Sequence, residues 1–376
     1  MARPLTRTAA ARRERFSASQ QFRGGTFKNT SGLGAGLKKG SALSTVGQFI
    51  FGGERRVPLQ PLPSSNPMDA WLKPAGSLRA TWLGHSTVLL ELDGKRVLTD
   101  PVWGERASPS KLAGPKRFQP VPVAIARLPP LDAVLISHDH YDHLCQESVL
   151  ALAAAQPGVP LVTALGVGAR LEEWGIDAAR IVELDWWEEL KVGPLTITSA
   201  PSQHFSGRGA FDRNSTLWTS FAVRGEKESF FFSGDTGPTP EYQQIRERLG
   251  PFNLTMLEVG AFHPAWGDIH LGPEHALEAH ALLGGGPLLP VHWGTFNLAI
   301  HAWEEPAETL VKLAPKEGVQ LVMPKIGEPV EIARAGAVNA WWRPIAEAER
   351  KERAAGRCGS KEAEEEAAAP LADPID

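Results

Sequence analysis

The stretch Ser137-His138-Asp139-His140-Tyr141-Asp142-His143-Leu144 places three histidines and two aspartates within six positions. Imidazole and carboxylate together are the ligand set of zinc and similar divalent ions. His138 and His140 are two apart, and Asp142 and His143 are adjacent, so one short loop can serve two neighbouring ions. The competing reading, a polar turn with solvated histidines, does not account for the apolar run that leads into it.

That run, Leu131-Asp132-Ala133-Val134-Leu135-Ile136, has the length of a buried strand, and Glu147 to Ala153 beyond the motif reads as helix. The histidines therefore sit on a loop at the C-terminal end of a strand, where an α/β scaffold holds its polar clusters. The same placement recurs. His204 follows the strand Leu195–Ala200, Asp235 follows Glu228–Ser233, and His292 follows Leu288–Val291. Independent strands that each end in a metal-type ligand converge at one edge of a sheet.

The other elements fit this plan. Leu78–Leu83, Thr87–Leu92 and Arg96–Thr99 read as strands, the last two joined by Asp93-Gly94, a strong hairpin signal. A long Pro-, Lys- and Arg-rich loop spans 100–130. Pro160–Ala164, Ile181–Leu184, Leu217–Val223 and Leu254–Val259 read as further strands. Gly168–Trp174, Pro240–Leu249, Pro273–Leu283 and Glu304–Leu313 read as helices.

Three regions follow: an irregular basic and Gly/Ser-rich arm over 1–77, a globular α/β domain over 78–335 that carries the motif, and a charged, flexible tail over 336–376. Within the arm, Val46–Phe51 is an apolar patch, expected to cover the core in preference to binding a membrane. Residues 1–25 are basic and nearly free of acid; a flexible arm is the preferred reading over a targeting segment. Hydrophobic residues make up 42% of the 376, enough for a sizeable core. A net charge of -4 gives no basic balance for nucleic acid. Cys145 and Cys358 supply no disulfide framework, and no apolar run reaches the ~18 residues of a membrane span, so a cytoplasmic location is expected.

The motif, the later His204, Asp235 after Phe-Phe-Ser-Gly, and His292 before Trp-Gly resemble the metallo-β-lactamase superfamily. Longer stretches resemble its N-acylphosphatidylethanolamine-hydrolysing phospholipase D branch: Thr81-Trp82-Leu83-Gly84-His85, Gly114-Pro115-Lys116-Arg117-Phe118, Asp185-Trp186-Trp187-Glu188 and His292-Trp293-Gly294-Thr295-Phe296. The resemblance implies an α/β, four-layer αββα sandwich with a dinuclear metal site at one edge. It implies two zinc ions, with His138, His140 and His204 on the first and Asp142, His143 and His292 on the second. Asp235 would bridge them. Zinc-acidified water would then cleave a phospholipid into phosphatidic acid and an N-acylethanolamine. Asp142 stands in both roles, ligand and catalytic carboxylate. The residues after the motif, Cys145-Gln146-Glu147, lack the aromatic expected of the animal enzymes.

Three residues are weighed beyond the ligand set. His270 resembles a family histidine near the reacting centre and could donate to phosphoryl oxygen or to the leaving group; the plain alternative is a helix-entry histidine. Arg208 could contact phosphate; a solvated loop cation is the plain alternative. His85 could support a ligand rather than bind metal itself. Partners expected are a phospholipid substrate and a peripheral membrane contact, with no nucleic acid; the oligomeric state stays open, a homodimer included. The alternative activity is hydrolysis of a sugar lactone or cyclic phosphate on the same fold.

Overall fold

Fourteen of the strands close into two seven-stranded sheets packed face to face. The computed structural model describes residues 9–32, 34, 54–263 and 265–354. A small ribbon, β1 (Phe22–Arg23) and β2 (Thr26–Phe27), precedes the sandwich. In chain order, β3 (Arg79–Gly84), β4 (Thr87–Leu92), β5 (Lys95–Thr99), β6 (Ala133–Ile136), β7 (Leu161–Ala164) and β8 (Ile181–Leu184) build the first sheet. The second comprises β9 (Glu189–Val192), β10 (Leu195–Ala200), β11 (Ser220–Arg224), β12 (Ser229–Phe232), β13 (Leu254–Glu258), β14 (Pro287–Val291) and β15 (Gln320–Leu321). The late strand β16 (Pro329–Glu331) returns to the first sheet beside β3.

The two sheets share one design. From β16 to β5 and from β9 to β12 the neighbours are antiparallel; from β5 to β8 and from β12 to β15 they are parallel. Parallel strands need crossovers and are covered on both faces, which is why β6 reads as an unbroken apolar run and why β6 and β13 are buried throughout. Alternation still sorts their side chains. Leu135 of β6 joins the core between the sheets with Trp82, Ile197, Phe221, Phe231 and Met256. Val134 and Ile136 point outward onto Val149, Leu152 and Leu171 of the helices Gln146–Ala155 and Val167–Glu173. On the far side, Ile245, Leu277 and Leu310 anchor the helices Glu241–Leu249, Gly272–Leu282 and Glu305–Leu313. The result is the expected αββα order of layers.

Two terminal segments differ from the reading of the sequence. The arm expected to be irregular carries the helix Ala9–Ala18 and the β1/β2 ribbon, with Phe27 fully buried beside Phe16 and Phe22. Three aromatics clustered near a short Gly-Gly turn suffice for this, at a spacing that shows no regular period. The tail expected to be flexible begins with Trp341 and Trp342 in the core and continues as the helix Arg343–Ala354. That helix is anchored by Ala346 and by Glu349, which accepts from Trp303 Nε1 at 3.0 Å. A mostly charged helix docks here through Ala346 and Ile345 on the core, the buried Glu349, and ion pairs of Arg343 with Glu308 and Arg350 with Glu304. The apolar patch Val46–Phe51 and the chain beyond Ala354 lie outside the described residues.

Candidate metal centre

The motif loop starts where β6 ends. Ser137 fixes it: its N–H and hydroxyl donate to the two carboxylate oxygens of Asp100, each at 2.7 Å. Asp100 directly follows β5, is fully buried, and also holds Nδ1 of His143 at 2.6 Å. A second brace comes from Asp139, which accepts from Arg170 at 2.9 Å and from the Gly207 N–H at 2.8 Å. Tight loops of this kind strain the backbone. His85, Asp100 and His292 all have positive φ, of 50°, 28° and 65°, a conformation that non-glycine residues adopt only where surroundings enforce it.

Two ligand clusters result, each with donor atoms within 4.8 Å of one another: His138, His140, His204 and Asp235, and His85, Asp142, His143 and His292. Asp235 reaches both. Its Oδ1 lies 3.1 Å from His143 Nε2, and its Oδ2 lies 3.1 Å from His292 Nε2 and 3.8 Å from His204 Nε2. In the first cluster, His140 Nδ1 is 2.8 Å from His138 Nε2 and 3.2 Å from His204 Nε2. In the second, Asp142 Oδ2 is 3.0 Å from His85 Nε2 and 3.2 Å from His292 Nε2.

The donor set fits divalent cations. His143 Nε2 and Asp235 Oδ1 are buried and have no hydrogen-bond partner despite their closeness, and buried polar atoms are rarely left so. His204 donates from Nδ1 to the Ile269 carbonyl at 2.9 Å, which leaves the Nε2 lone pair toward the cluster. Burial holds the His138 and His204 pKa values well below the usual imidazole range, so both rings are neutral and able to ligate. Burial opposes ionisation of Asp142 and Asp235 too, but His143 and His292 outweigh it and hold both carboxylates well below the usual range. For His292 burial is again the largest influence; Asp235 and Asp142 overcome it and raise the pKa to about 10. The centre thus concentrates negative charge, which a cation would replace protons to neutralise.

All seven expected ligands are brought together. His85 is drawn closer than expected, its ring centroid 4.0 Å from that of His292 and its Nε2 within the second cluster. His270 is adjacent without belonging to either cluster. Its Nδ1 lies 3.2 Å from Oε1 of the buried Glu258 at the end of β13, and 4.0 Å from Asp235 Oδ2. Burial alone would lower its pKa, but Glu258 and Asp235 raise it. The loop carrying it approaches through Gly237, where a Cβ would stand 1.7 Å from the Asp268 carbonyl oxygen.

Arg208 departs from the expected phosphate contact. Its Nη1 donates to the carbonyls of Asp139 and Leu144, each at 2.7 Å, and the guanidinium lies 3.7 Å from the centre of the Tyr141 ring. It clamps the metal loop, because the segment after Gly207 folds back over that loop. Asp100 and Glu258 were missed as site residues, although both obey the rule that identified the others: a metal-type or polar group at the C-terminal end of a strand, Asp100 just after β5 and Glu258 closing β13.

Residues 95–293 match the family model for the beta-lactamase superfamily domain. An uncharacterized protein of Mycobacterium tuberculosis is 44% identical over 339 residues, 89% of this chain and 90% of that one. The N-acyl-phosphatidylethanolamine-hydrolyzing phospholipase D 1 of Caenorhabditis elegans is 40% identical over 247 residues, 63% of this chain and 69% of that one. Among solved structures, a metallo hydrolase of Ignicoccus hospitalis superposes with a TM-score of 0.52 at 24% identity, covering 67% of this chain and 97% of that one. That likeness concerns the fold.

Proposed function

The chain belongs to the metallo-β-lactamase superfamily, as a metal-dependent hydrolase, and on that footing we propose that it hydrolyses N-acylphosphatidylethanolamine-type phospholipids to phosphatidic acid and an N-acylethanolamine. The observation that carries this reading is the 40% identity to the nematode enzyme. Two adjoining clusters that share Asp235 support it. Two zinc ions are the cofactors we assign, His138, His140, His204 and Asp235 holding one and Asp142, His143 and His292 with Asp235 the other. When bound, such a pair supplies Lewis-acid stabilisation of attacking and leaving oxygens and a water acidic enough to react near neutral pH.

The chain's own groups do the rest. Asp100 and His85 hold His143 and Asp142 in orientation through bonds of 2.6 and 3.0 Å. His270 places an imidazole beside the clusters, with Nδ1 turned to Glu258 and Nε2 without a protein partner among the described residues. Nε2 is the nitrogen positioned to hold a proton for the leaving oxygen. Substrate would arrive from a lipid surface by peripheral contact. The fully exposed Phe211 and the largely exposed Leu112 stand on loops flanking the motif, one joined to it by Tyr141 Oη donating to the Arg208 carbonyl at 2.9 Å, the other tied by Lys111 to Glu147 at 3.0 Å. No helix among the described residues is long and apolar enough to cross a membrane.

The test is incubation of zinc-loaded protein with N-acylphosphatidylethanolamine in mixed micelles, with products identified by mass. Phosphatidic acid and N-acylethanolamine are expected. Intact lipid, alongside turnover of a lactone or cyclic phosphate, overturns the substrate assignment and leaves the metal-dependent hydrolase standing.

A further inference from the structure

We infer that the N-terminal segment is a working part of the metal centre, with Asn29 as the positioning residue for His204. His204 lies beyond the end of β10, where no strand among the described residues pairs its backbone. Its peptide groups are buried and still need partners. One side chain supplies both. The His204 N–H donates to Asn29 Oδ1 at 3.0 Å, and Asn29 Nδ2 donates to the His204 carbonyl at 2.8 Å. A carboxamide is the side chain that offers a donor and an acceptor with the spacing of a peptide edge. Asn29 is itself fixed, because Oδ1 also accepts from Trp218 Nε1 at 3.1 Å, and the residue is only 7% exposed.

The rest of the segment supports this contact. Phe27 is fully buried, and its N–H donates to the Asn214 carbonyl at 2.9 Å, tying the ribbon to the loop that follows His204. Arg12 binds Glu172 at 2.7 Å, and Ser19 donates to Asp185 at 3.1 Å. Residue 29 stands 175 positions before the ligand it grips and lies outside the 95–293 stretch that defines the family match. His204 reaches its cluster from two supports: Asn29 on the backbone and the Ile269 carbonyl on Nδ1. Loss of the first lets the backbone shift, and a ligand displaced by a fraction of an ångström binds less well. Groups that orient a metal ligand typically contribute about 10–100-fold in metal affinity.

Because His204 belongs to one cluster only, the effect is selective. It does not depend on which substrate is hydrolysed, and the readout is metal binding. Full-length apoprotein is titrated with zinc against a competing chelator, for wild type, Asn29→Ala, Asn29→Asp, Ser19→Ala and His204→Ala, with thermal unfolding of each apoprotein measured alongside. Asn29→Ala should lose about 10–100-fold in affinity for one ion and keep the other. Asn29→Asp keeps the acceptor for His204 N–H but cannot donate to the carbonyl, so it should show the same selective loss; it carries the test should the alanine variant fail to fold. Ser19→Ala, which weakens the segment elsewhere, should bind both ions like wild type. His204→Ala should lose one ion; if it keeps both, the ligand assignment fails before the question of Asn29 arises. Wild-type affinities in both Asn29 variants, or equal weakening of both ions, overturn the inference.

Discussion

Removing the His270 ring should separate chemistry from metal binding. The ring belongs to neither cluster, yet its Nδ1 is 4.0 Å from Asp235 and 3.2 Å from Glu258, and its side chain keeps 13% exposure. A positioned acid or base contributes about 10²–10⁴-fold in rate, equivalent to about 2.7–5.5 kcal/mol of barrier. His270→Ala should therefore lower kcat of phosphodiester hydrolysis by that factor with both ions retained. Glu258 works through the ring. A hydrogen bond to a charged group is worth about 1.5–3 kcal/mol, so Glu258→Ala should cost about 10–150-fold in kcat. Glu258→Gln should recover much of it, since the Leu271 N–H, 2.7 Å from Oε1, holds the amide oxygen where His270 also needs an acceptor. His270→Gln, able to donate but not to transfer a proton, should recover activity only if the role is electrostatic. The assay is saturating turnover with metal content measured on the same samples. Full activity in His270→Ala makes the ring a bystander, and zinc lost in proportion to activity makes it a ligand. Glu258→Ala should add nothing in the His270→Ala background; full additivity would mean that Glu258 acts elsewhere.

Three further outcomes are expected. Asp235→Ala removes the carboxylate that reaches both clusters and should weaken both ions, whereas His204→Ala weakens one; elemental analysis after dialysis against chelator reads the difference. Truncation after Trp342 removes Glu349 and leaves the buried Trp303 Nε1 without its acceptor, and it strips Ala346 from the core. It should cost about 2–4 kcal/mol in denaturant unfolding, and an unchanged midpoint would show that the helix contributes nothing. Burial lowers the pKa of His280, which bonds Thr255 in the core at 2.8 Å. The unfolded chain then takes the proton first, so stability should be lost as pH falls from about 6.5 toward the folded value, by at most about 1.4 kcal/mol per unit. His280→Gln should flatten that slope in denaturation curves taken between pH 7 and 5.

Much of this was legible because strand-end chemistry is local. Ile136 before the histidines, Phe232 before Asp235 and Val291 before His292 are apolar residues ending a strand, and the ligands follow within a few positions. Hidden from that view were contacts made across long separations. Asp100 was visible as a carboxylate after β5, but its grip on His143 needs the parallel pairing of β5 with β6. Arg208 looked available for phosphate because nothing in its own loop opposes that role; its partners, Asp139 and Leu144, lie on the far side of β10 in sequence. The docked helix Arg343–Ala354 was hidden because its partners are distant in sequence: Glu349 accepts from Trp303 and pairs with Arg55 at 3.6 Å. The β9 edge strand alternates between exposed and half-buried positions, and its Glu-Leu-Lys-Val carries too weak a pattern to stand out.

The clusters also explain why the sandwich must be rigid. Neither is built by one sheet. His138 and His140 hang from the first sheet and meet His204 and Asp235 from the second; His85, Asp142 and His143 from the first meet His292 from the second. The position of one sheet on the other therefore sets the ligand geometry of both sites at once. Side chains that fix that position lie directly beneath the centre, among them Trp82, stacked on Trp293 at 5.2 Å, one residue past His292. Trp82 Nε1 also donates to the His85 carbonyl at 2.7 Å, and the His292 N–H donates to that carbonyl at 3.0 Å. One backbone oxygen thus ties a loop of the first sheet to a ligand of the second, through a side chain that belongs to the core between them. A change at Trp82 would act on stability and on the second cluster through the same atoms. Metal affinity at that cluster and unfolding free energy should accordingly fall together in Trp82→Phe, which removes the donor and shrinks the buried ring, while the His138 cluster is disturbed less.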